Sequence, residues 1–477
     1  MRTEELILSI AKSLFTEESI SRYEFVSSDW LRIKEHLIYH ELGPIAYCLF
    51  GQQSNTLPAD IFELLKNCYE FCLRRNQCLW QEFINLHNCF EREGVLVVPI
   101  KGIALLKDVY GSFLRPMADI DLLVKEEDYR RAEEIMQNQG YKKILYGRRE
   151  GYWRNKQCHI AFKKEDILCD LHWQLDFKKR QSQLPLLFRR LRRISLDNVA
   201  LTWLSPEDTF FSLVLHQRRF GKMLCLKSVL DIALLLKKYC LDFDWDYVLT
   251  ETGRGRMCSS VYFCLAQIQL LFGFSLPKEI KRFFKSNLPG YKRFLIKRLI
   301  KNYTFPKRGF SVKQLYLKTH FLLYDSLWES IDYILHIPLE QFASFYGLSP
   351  YERKTQVFYQ NRFFYFLCNK SLIFIRKIIR KKIKISLDID DGLNPKLHYN
   401  LQGSYPFTPF KALELIAEVE TEPWYGGRIV ISINGIKNNY PKHWKYLVNK
   451  KEVSELADKS LLLSGDYVEW IYTKEER

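Results

Sequence analysis

From the start of the chain to about residue 93, apolar side chains recur at helical spacing, as at Ile61, Leu64, Leu65 and Cys68 and again at Leu79, Phe83, Leu86 and Phe90. Steps of three and four put such residues on one face, so the pattern predicts a helical N-terminal region over 1–93. At Gly94 the period changes. Val95 to Ile100 is a short apolar, β-branched run ended by Lys101-Gly102, which predicts a strand. A helix from Ile103 to Tyr110 closed by Gly111, a strand over Ile120 to Val124 and a helix over Glu126 to Gln139 closed by Gly140 follow. Further strands are predicted at 142–146, 158–163 and 167–173. Alternating strands and helices of these lengths make a mixed sheet of about five strands with helices packed on it, a domain over 94–200.

Helical periodicity returns at Leu204. Ser205-Pro206-Glu207-Asp208 supplies an N-cap, a proline in the first turn and two acids where the helix dipole favours them. A helical domain is expected over 204–382, with breaks at Gly273, Pro277, Pro289, Pro306 and Pro338. Its basic stretch, Lys278 to Lys301 with Phe283, Phe284, Tyr291 and Phe294 interleaved, either holds RNA phosphates or is an amphipathic helix pair with a buried aromatic stripe. The stripe is the favoured expectation. Phe363 to Lys384 reads as the last helix of this bundle, peripheral membrane contact being the alternative. From 384 to 477 the pattern changes to strands around one helix, Phe410 to Val419, with turns at Gly426-Gly427, Asn434-Gly435 and Ser464-Gly465-Asp466. The fold class expected is α+β and multidomain.

Composition sharpens this picture in three ways. With 477 residues, 47% hydrophobic and 27% charged, the chain is a folded protein of two to four domains. A net charge of +17 favours anionic partners such as nucleoside triphosphates, RNA or anionic lipid. Twelve cysteines fall as singletons without metal-finger or disulfide spacing, and the opening MRTEELILSIAKSLF lacks the regions of a secretory signal. A cytoplasmic protein with no transmembrane segment is therefore expected.

The chemistry is concentrated in few residues. Asp119 and Asp121 lie two apart on one strand, so they project from the same sheet face among Ile120, Leu122, Leu123 and Val124. Two such acids repel and lose hydration unless a cation neutralises them, and hard oxygen donors suit Mg²⁺. Asp170, in Ile167-Leu168-Cys169-Asp170-Leu171-His172-Trp173, would join them from a neighbouring strand. Three carboxylates can hold two Mg²⁺ about 3.5–4 Å apart, the arrangement that clamps attacking and leaving oxygens in phosphoryl transfer.

These acids stand in an ordered series. Lys101-Gly102, Tyr110-Gly111, Arg115, Asp119-Ile120-Asp121, Gly140-Tyr141, Asp170-Leu171-His172-Trp173, Leu204-Ser205-Pro206-Glu207-Asp208, His216 and Asp231-Ile232-Ala233 together resemble the poorly characterised nucleotidyltransferase family of the DNA polymerase β superfamily, over about residues 60–350. The resemblance implies that Asp119 and Asp121 bind both metals, Mg²⁺ or Mn²⁺. It implies that Asp170 binds the catalytic one and positions or deprotonates the acceptor. The reaction implied is transfer of NMP from an NTP such as ATP to an acceptor hydroxyl, releasing pyrophosphate.

One departure stands out: Lys101-Gly102 replaces the usual Gly-Ser at the first strand–helix junction. Gly102 can let the backbone approach an anion, and Lys101 either supplies charge to the triphosphate or is a solvated turn lysine. Arg115 either contacts phosphate or caps its loop, and His172 is either a supporting donor in the nucleotide site or a core histidine. Residues 384–477 resemble the C-terminal β-grasp domain of transcobalamin-like proteins, at Phe410-Lys411-Ala412-Leu413, Ile431-Ser432-Ile433-Asn434-Gly435, Trp444 to Lys450 and Leu463 to Trp470. The expected acceptor is a peptide, protein or natural product. An RNA end, or a degenerate scaffold that binds nucleotide without chemistry, is the alternative.

Overall fold

The computed structural model describes residues 3–16, 30–51, 57–144, 158–176, 186–219, 224–305, 319, 321–336, 353–360, 382–392, 394–404, 407–424, 427–439, 442–453, 456–458, 460, 462 and 464–474. Residues 145–146, Pro306, Pro338, residues 363–381 and Gly426, all carrying expectations above, lie outside that set. The chain divides into two compact units, Met1–Ser330 and Ile331–Arg477. Both mix helix and strand, so the fold is α+β and multidomain.

The first unit is organised by a mixed five-stranded sheet: β1 (Val97–Ile100), β2 (Asp119–Val124), β3 (Lys142–Ile144), β4 (His159–Lys164) and β5 (Ile167–His172), in the order β1-β2-β5-β4-β3. Only β2 and β5 run parallel; the other neighbours are antiparallel. Side chains alternate between the faces of a strand, and here the alternation separates packing from chemistry. Val97, Ile120, Leu122, Val124, Ile160, Phe162, Cys169 and Leu171 are buried in one core with α4 (Ala59–Arg92) and α6 (Tyr129–Asn138). Val98, Ile100 and Leu123, on the opposite face, join a second core made by the helices.

α4 is 34 residues long and serves both cores, Ile61 and Leu65 in the second and Leu79, Trp80, Phe83, Leu86 and Phe90 in the first. It stops where Gly94 takes φ 65°: Val95 N–H donates to Phe90 C=O at 2.9 Å and Gly94 N–H to Glu91 C=O at 3.0 Å, the paired bonds of a glycine C-terminus. Before it come α1 (Thr3–Thr16), α2 (Trp30–Tyr39) and α3 (Gly43–Phe50).

After the sheet, β6 (Arg192–Leu196) and β7 (Val199–Trp203) form a hairpin that the periodicity did not reveal, turning at Asp197 and Asn198 with φ 50° and 63°. α7 (Pro206–Arg219) opens at the predicted cap, with Ser205 Oγ accepting the Asp208 N–H at 3.1 Å. α8 (Leu226–Lys238), α9 (Trp245–Arg254), α10 (Cys258–Gln267), α11 (Lys278–Asn287) and α12 (Gly290–Tyr303) follow, with further helices at Leu327–His336 and Arg353–Gln360.

Two expectations need correction in this unit. The helix read as Ile103 to Tyr110 is α5, Lys101–Leu106, shortened because the chain must turn at 107–111 to deliver Tyr110 to a buried carboxylate. The basic stretch has no continuous buried aromatic stripe: Phe284 is buried, but Tyr291 and Phe294 are 69% and 62% exposed. Their positions on α12 face away from Ile296, Leu299 and Ile300, which carry the packing.

In the second unit, β8 (Lys382–Asp390), β9 (Leu397–Ser404), β13 (Lys442–Val448), β14 (Lys451–Glu452) and β15 (Tyr467–Lys474) form a sheet in the order β14-β13-β15-β8-β9, with β15 and β8 parallel. A second sheet joins β10 (Val419–Trp424), β11 (Gly427–Ile433) and β12 (Ile436–Lys437). Ile383, Ile385, Leu387 and Ile389 alternate into its core with Phe410, Leu413, Trp444 and Trp470. The helix expected over Phe410 to Val419 spans only Pro409–Glu414, because Val419 already pairs with Ile433. Asn434 and Gly435 turn the β11–β12 hairpin at φ 49° and 81°.

Candidate metal and nucleotide site

The polar face of the five-stranded sheet places the sequence-flagged acids in ordered rows. Asp121 on β2 is the register partner of Asp170 on β5, and Ile100 and Ala161 continue that row to either side. Neighbouring strands lie about 4.8 Å apart, so the two carboxylates leave the backbone side by side. Asp119 precedes Asp121 by two and shares its face. In the adjoining row His172 pairs across the ladder with His159, and their rings stack with centroids 4.6 Å apart.

Lys101 closes this cluster from the strand–helix junction. Its ammonium is ion-paired with Asp121 Oδ1 and lies 3.2 Å from His172 Nε2, which is itself 3.0 Å from the same carboxylate oxygen. Lys101 holds φ 53°, a left-handed conformation that costs a residue with a Cβ about 1–2 kcal/mol. The pairing with Asp121 offsets that cost.

Gly102 is required by close packing. A Cβ there would stand 2.8 Å from Arg115 Nη1 and 3.2 Å from Met117 Sδ. Arg115 is buried and directs Nε and Nη2 to the two oxygens of Asp231 on α8, both at 2.8 Å, while Tyr110 donates to Asp231 Oδ1 at 2.8 Å. On the other side α4 grips the loop that leads into β2. Asn76 Nδ2 donates to the carbonyls of Phe113 and Arg115, both at 2.7 Å, and Arg75 to those of Ala118 at 3.0 Å and Asp166 at 2.8 Å. The strand carrying Asp119 and Asp121 is thereby fixed against both α4 and α8.

Charge crowding divides the acids. Loss of water, with Asp121 and Asp170 beside it, pushes the Asp119 carboxyl up to about 7. Burial would raise Asp121 too, but Lys101 and His172 override it and hold that carboxyl well below the usual range. Burial and the neighbouring Lys101 lower His172, and burial lowers His159 to about 4, so both rings are neutral near pH 7. Asp121, Asp170 and His172 each offer a ligand atom within 4.8 Å of the others. That separation and donor set fit a divalent cation bound through carboxylate oxygen, with one imidazole nitrogen available.

Asp119, Asp121, Asp170, Lys101 and His172 are thus brought together. Arg115 and Gly102 lie behind them, engaged with Asp231 and with each other. Two neighbours escaped the sequence reading. His159 Nε2 sits 3.5 Å from Asp170 Oδ2; its place two before Ala161 on an alternating strand was the available signal. Lys227, in the first turn of α8, pairs with Glu41, donates to Pro116 C=O at 3.3 Å and adds positive potential near Asp119. It stands four before Asp231 and therefore on the same helical face.

A carboxylate cluster thus lies on a mixed sheet, with a lysine against it and helices behind. A family model described as uncharacterised nucleotidyltransferase matches residues 27–273, more than half of the chain, and the chain belongs to that family. No curated protein matches it in sequence. Among solved structures, a candidate metal binding protein from Ruminococcus gnavus ATCC 29149 is 13% identical, covers 20% of this chain and 99% of its own, and has a TM-score of 0.18. Haptocorrin in complex with Cbi is 11% identical, covers 52% of this chain and 69% of its own, with a TM-score of 0.19. At such scores neither likeness carries an argument.

Proposed function

We propose that the protein is a metal-dependent nucleotidyltransferase of the polymerase β type, transferring NMP from an NTP to an acceptor hydroxyl. The observation that carries this reading is the register pairing of Asp121 with Asp170, with Asp119 on the same face two residues earlier. Asp119, Asp121 and Asp170 would hold the divalent cations, Mg²⁺ or Mn²⁺, which when bound neutralise the triphosphate and activate its α-phosphorus.

The side chains divide the remaining work. Lys101 supplies a positive charge from the junction beside the acids, where the β- and γ-phosphates of an NTP need neutralising. His172 steadies Asp121, and His159, 3.5 Å from Asp170 Oδ2, orients the third carboxylate. The acceptor oxygen forms a bond to the α-phosphorus as the bond to pyrophosphate breaks, and its proton passes to Asp170. Arg115 and Gly102 act by setting the position of β2. Most of the rate arises from positioning and fixed charge.

The acceptor we favour is a peptide, protein or natural product, with residues 384–477 as a docking or substrate-recognition module of the transcobalamin-like β-grasp kind, in a cytoplasmic protein. An RNA end is the second reading, favoured by Tyr291 and Phe294, exposed on α12 beside Lys297, Arg298 and Lys301, since exposed aromatics among basic side chains stack bases and neutralise phosphates. The degenerate scaffold draws support from the Lys101–Asp121 ion pair, in which an ammonium already neutralises one acid.

Incubation with each α-labelled NTP, Mg²⁺ or Mn²⁺ and a cell extract tests the proposal. Label should enter an acceptor, and Asp119→Ala and Asp121→Ala proteins should lose it by on the order of 10²-fold or more. Nucleotide binding without transfer to any acceptor would establish the scaffold instead. Label on RNA with steep salt dependence would move the acceptor to nucleic acid.

A further inference from the structure

Cys158, immediately before β4, is a sulfur donor for which nucleotidyl transfer has no use, and it stands beside two imidazoles. Cys158, His159 and His172 each present one ligand atom within 4.8 Å of the others. Cys158 is fully buried, with Sγ 3.7 Å from His159 Nδ1. His172 Nε2 serves Asp121 and Lys101, whereas His172 Nδ1 is buried without a hydrogen-bond partner. A buried imidazole nitrogen left without a partner carries a desolvation cost that a ligand at that atom would remove.

The donor chemistry differs from that of the carboxylate cluster. One thiolate and two neutral imidazoles suit a borderline-soft ion, with bonds of about 2.0–2.3 Å, and they are poor ligands for Mg²⁺. We propose that Cys158, His159 and His172 form a second metal site that takes Zn²⁺ or an ion of its class. Binding breaks the Cys158 S–H bond, releases that proton to solvent and forms a sulfur–metal bond. Asp170, whose Oδ2 is 3.5 Å from His159 Nε2, can orient that ring from behind.

The two sites are coupled through His172 and Asp170. A cation on the soft ligands repels a second one at Asp121 and Asp170, so Zn²⁺ weakens Mn²⁺ binding there. Occupancy of the soft site itself does not depend on any transferase activity.

Co²⁺ titration of the full-length protein is the test, because cobalt reports a thiolate ligand by charge-transfer absorption. The wild type should show that band, saturating at one equivalent and removed by Zn²⁺. Cys158→Ser should lose it while retaining its far-ultraviolet circular dichroism, and Asp119→Asn should keep it. His159→Gln should weaken Co²⁺ binding at least about tenfold. A wild type without the band, or a Cys158→Ser protein that retains it through another cysteine, overturns the site. Should Cys158→Ser fail to fold, unchanged Co²⁺ affinity in His159→Gln overturns it equally.

Discussion

Arg115 and Asp231, 116 positions apart, meet through two hydrogen bonds of 2.8 Å in a buried fork-to-fork pair. Removing one member leaves the other charged and unpaired in the interior, at about 3–5 kcal/mol. Asp231→Ala should therefore lower the urea midpoint by a corresponding amount. Arg115→Lys should also lower it, since an ammonium cannot reproduce the paired donors to Asp231.

Gly102 depends on that same arginine. Because Arg115 is pinned by Asp231, its Nη1 cannot withdraw from a methyl group placed 2.8 Å away. Gly102→Ala should cost about 1–3 kcal/mol by overpacking. Thermal unfolding of the single variant checks this, and a change within the error of the wild type would show that the arginine relaxes.

Lys101 sets the balance between the cation-free and cation-bound states. Lys101→Met leaves buried Asp121 without its ammonium and should destabilise the cation-free protein by about 1–3 kcal/mol. Mn²⁺ should then raise the melting temperature of the variant more than that of the wild type, since a ligand stabilises the state that binds it. Equal shifts would mean that lysine and metal do not compete for the same acid.

Asp119 should impose a pH dependence. Its folded-state carboxyl titrates near 7 against an ordinary value of 3.8, so between those limits the folded protein holds a proton that the unfolded chain has released. The associated stability is complete below about pH 4 and is lost as pH rises through about 7. Mn²⁺ competes with that proton, and its affinity should climb over the same upper range. Asp119→Asn should flatten both profiles in paired unfolding and binding titrations.

The sequence was most legible where a local rule sufficed. Period-two alternation puts Asp119 with Asp121 and aligns Asp170 with His172, and Ser205 declares its helix through a side-chain cap. Long-range partnerships were not legible: nothing near Arg115 announces Asp231, and the choice between phosphate contact and loop support is a tertiary matter. The β6–β7 hairpin was missed because its turn uses Asp197-Asn198 in left-handed conformations without glycine. The helix at 409–414 is shorter than the apolar run suggests, because the apolar residues after it belong to the next strand, and composition alone does not mark that change of period.

The alternation in Asp119–Val124 ties heredity to mechanics. Deleting or inserting a single residue within these six would rotate every later side chain to the opposite face, burying a carboxylate against Phe162 and Trp203 while turning Leu122 and Val124 toward the acidic cluster. Such a frame slip would remove foldability and the acidic cluster together. Length variation in this gene should therefore accumulate elsewhere, and substitutions are the changes this strand can survive.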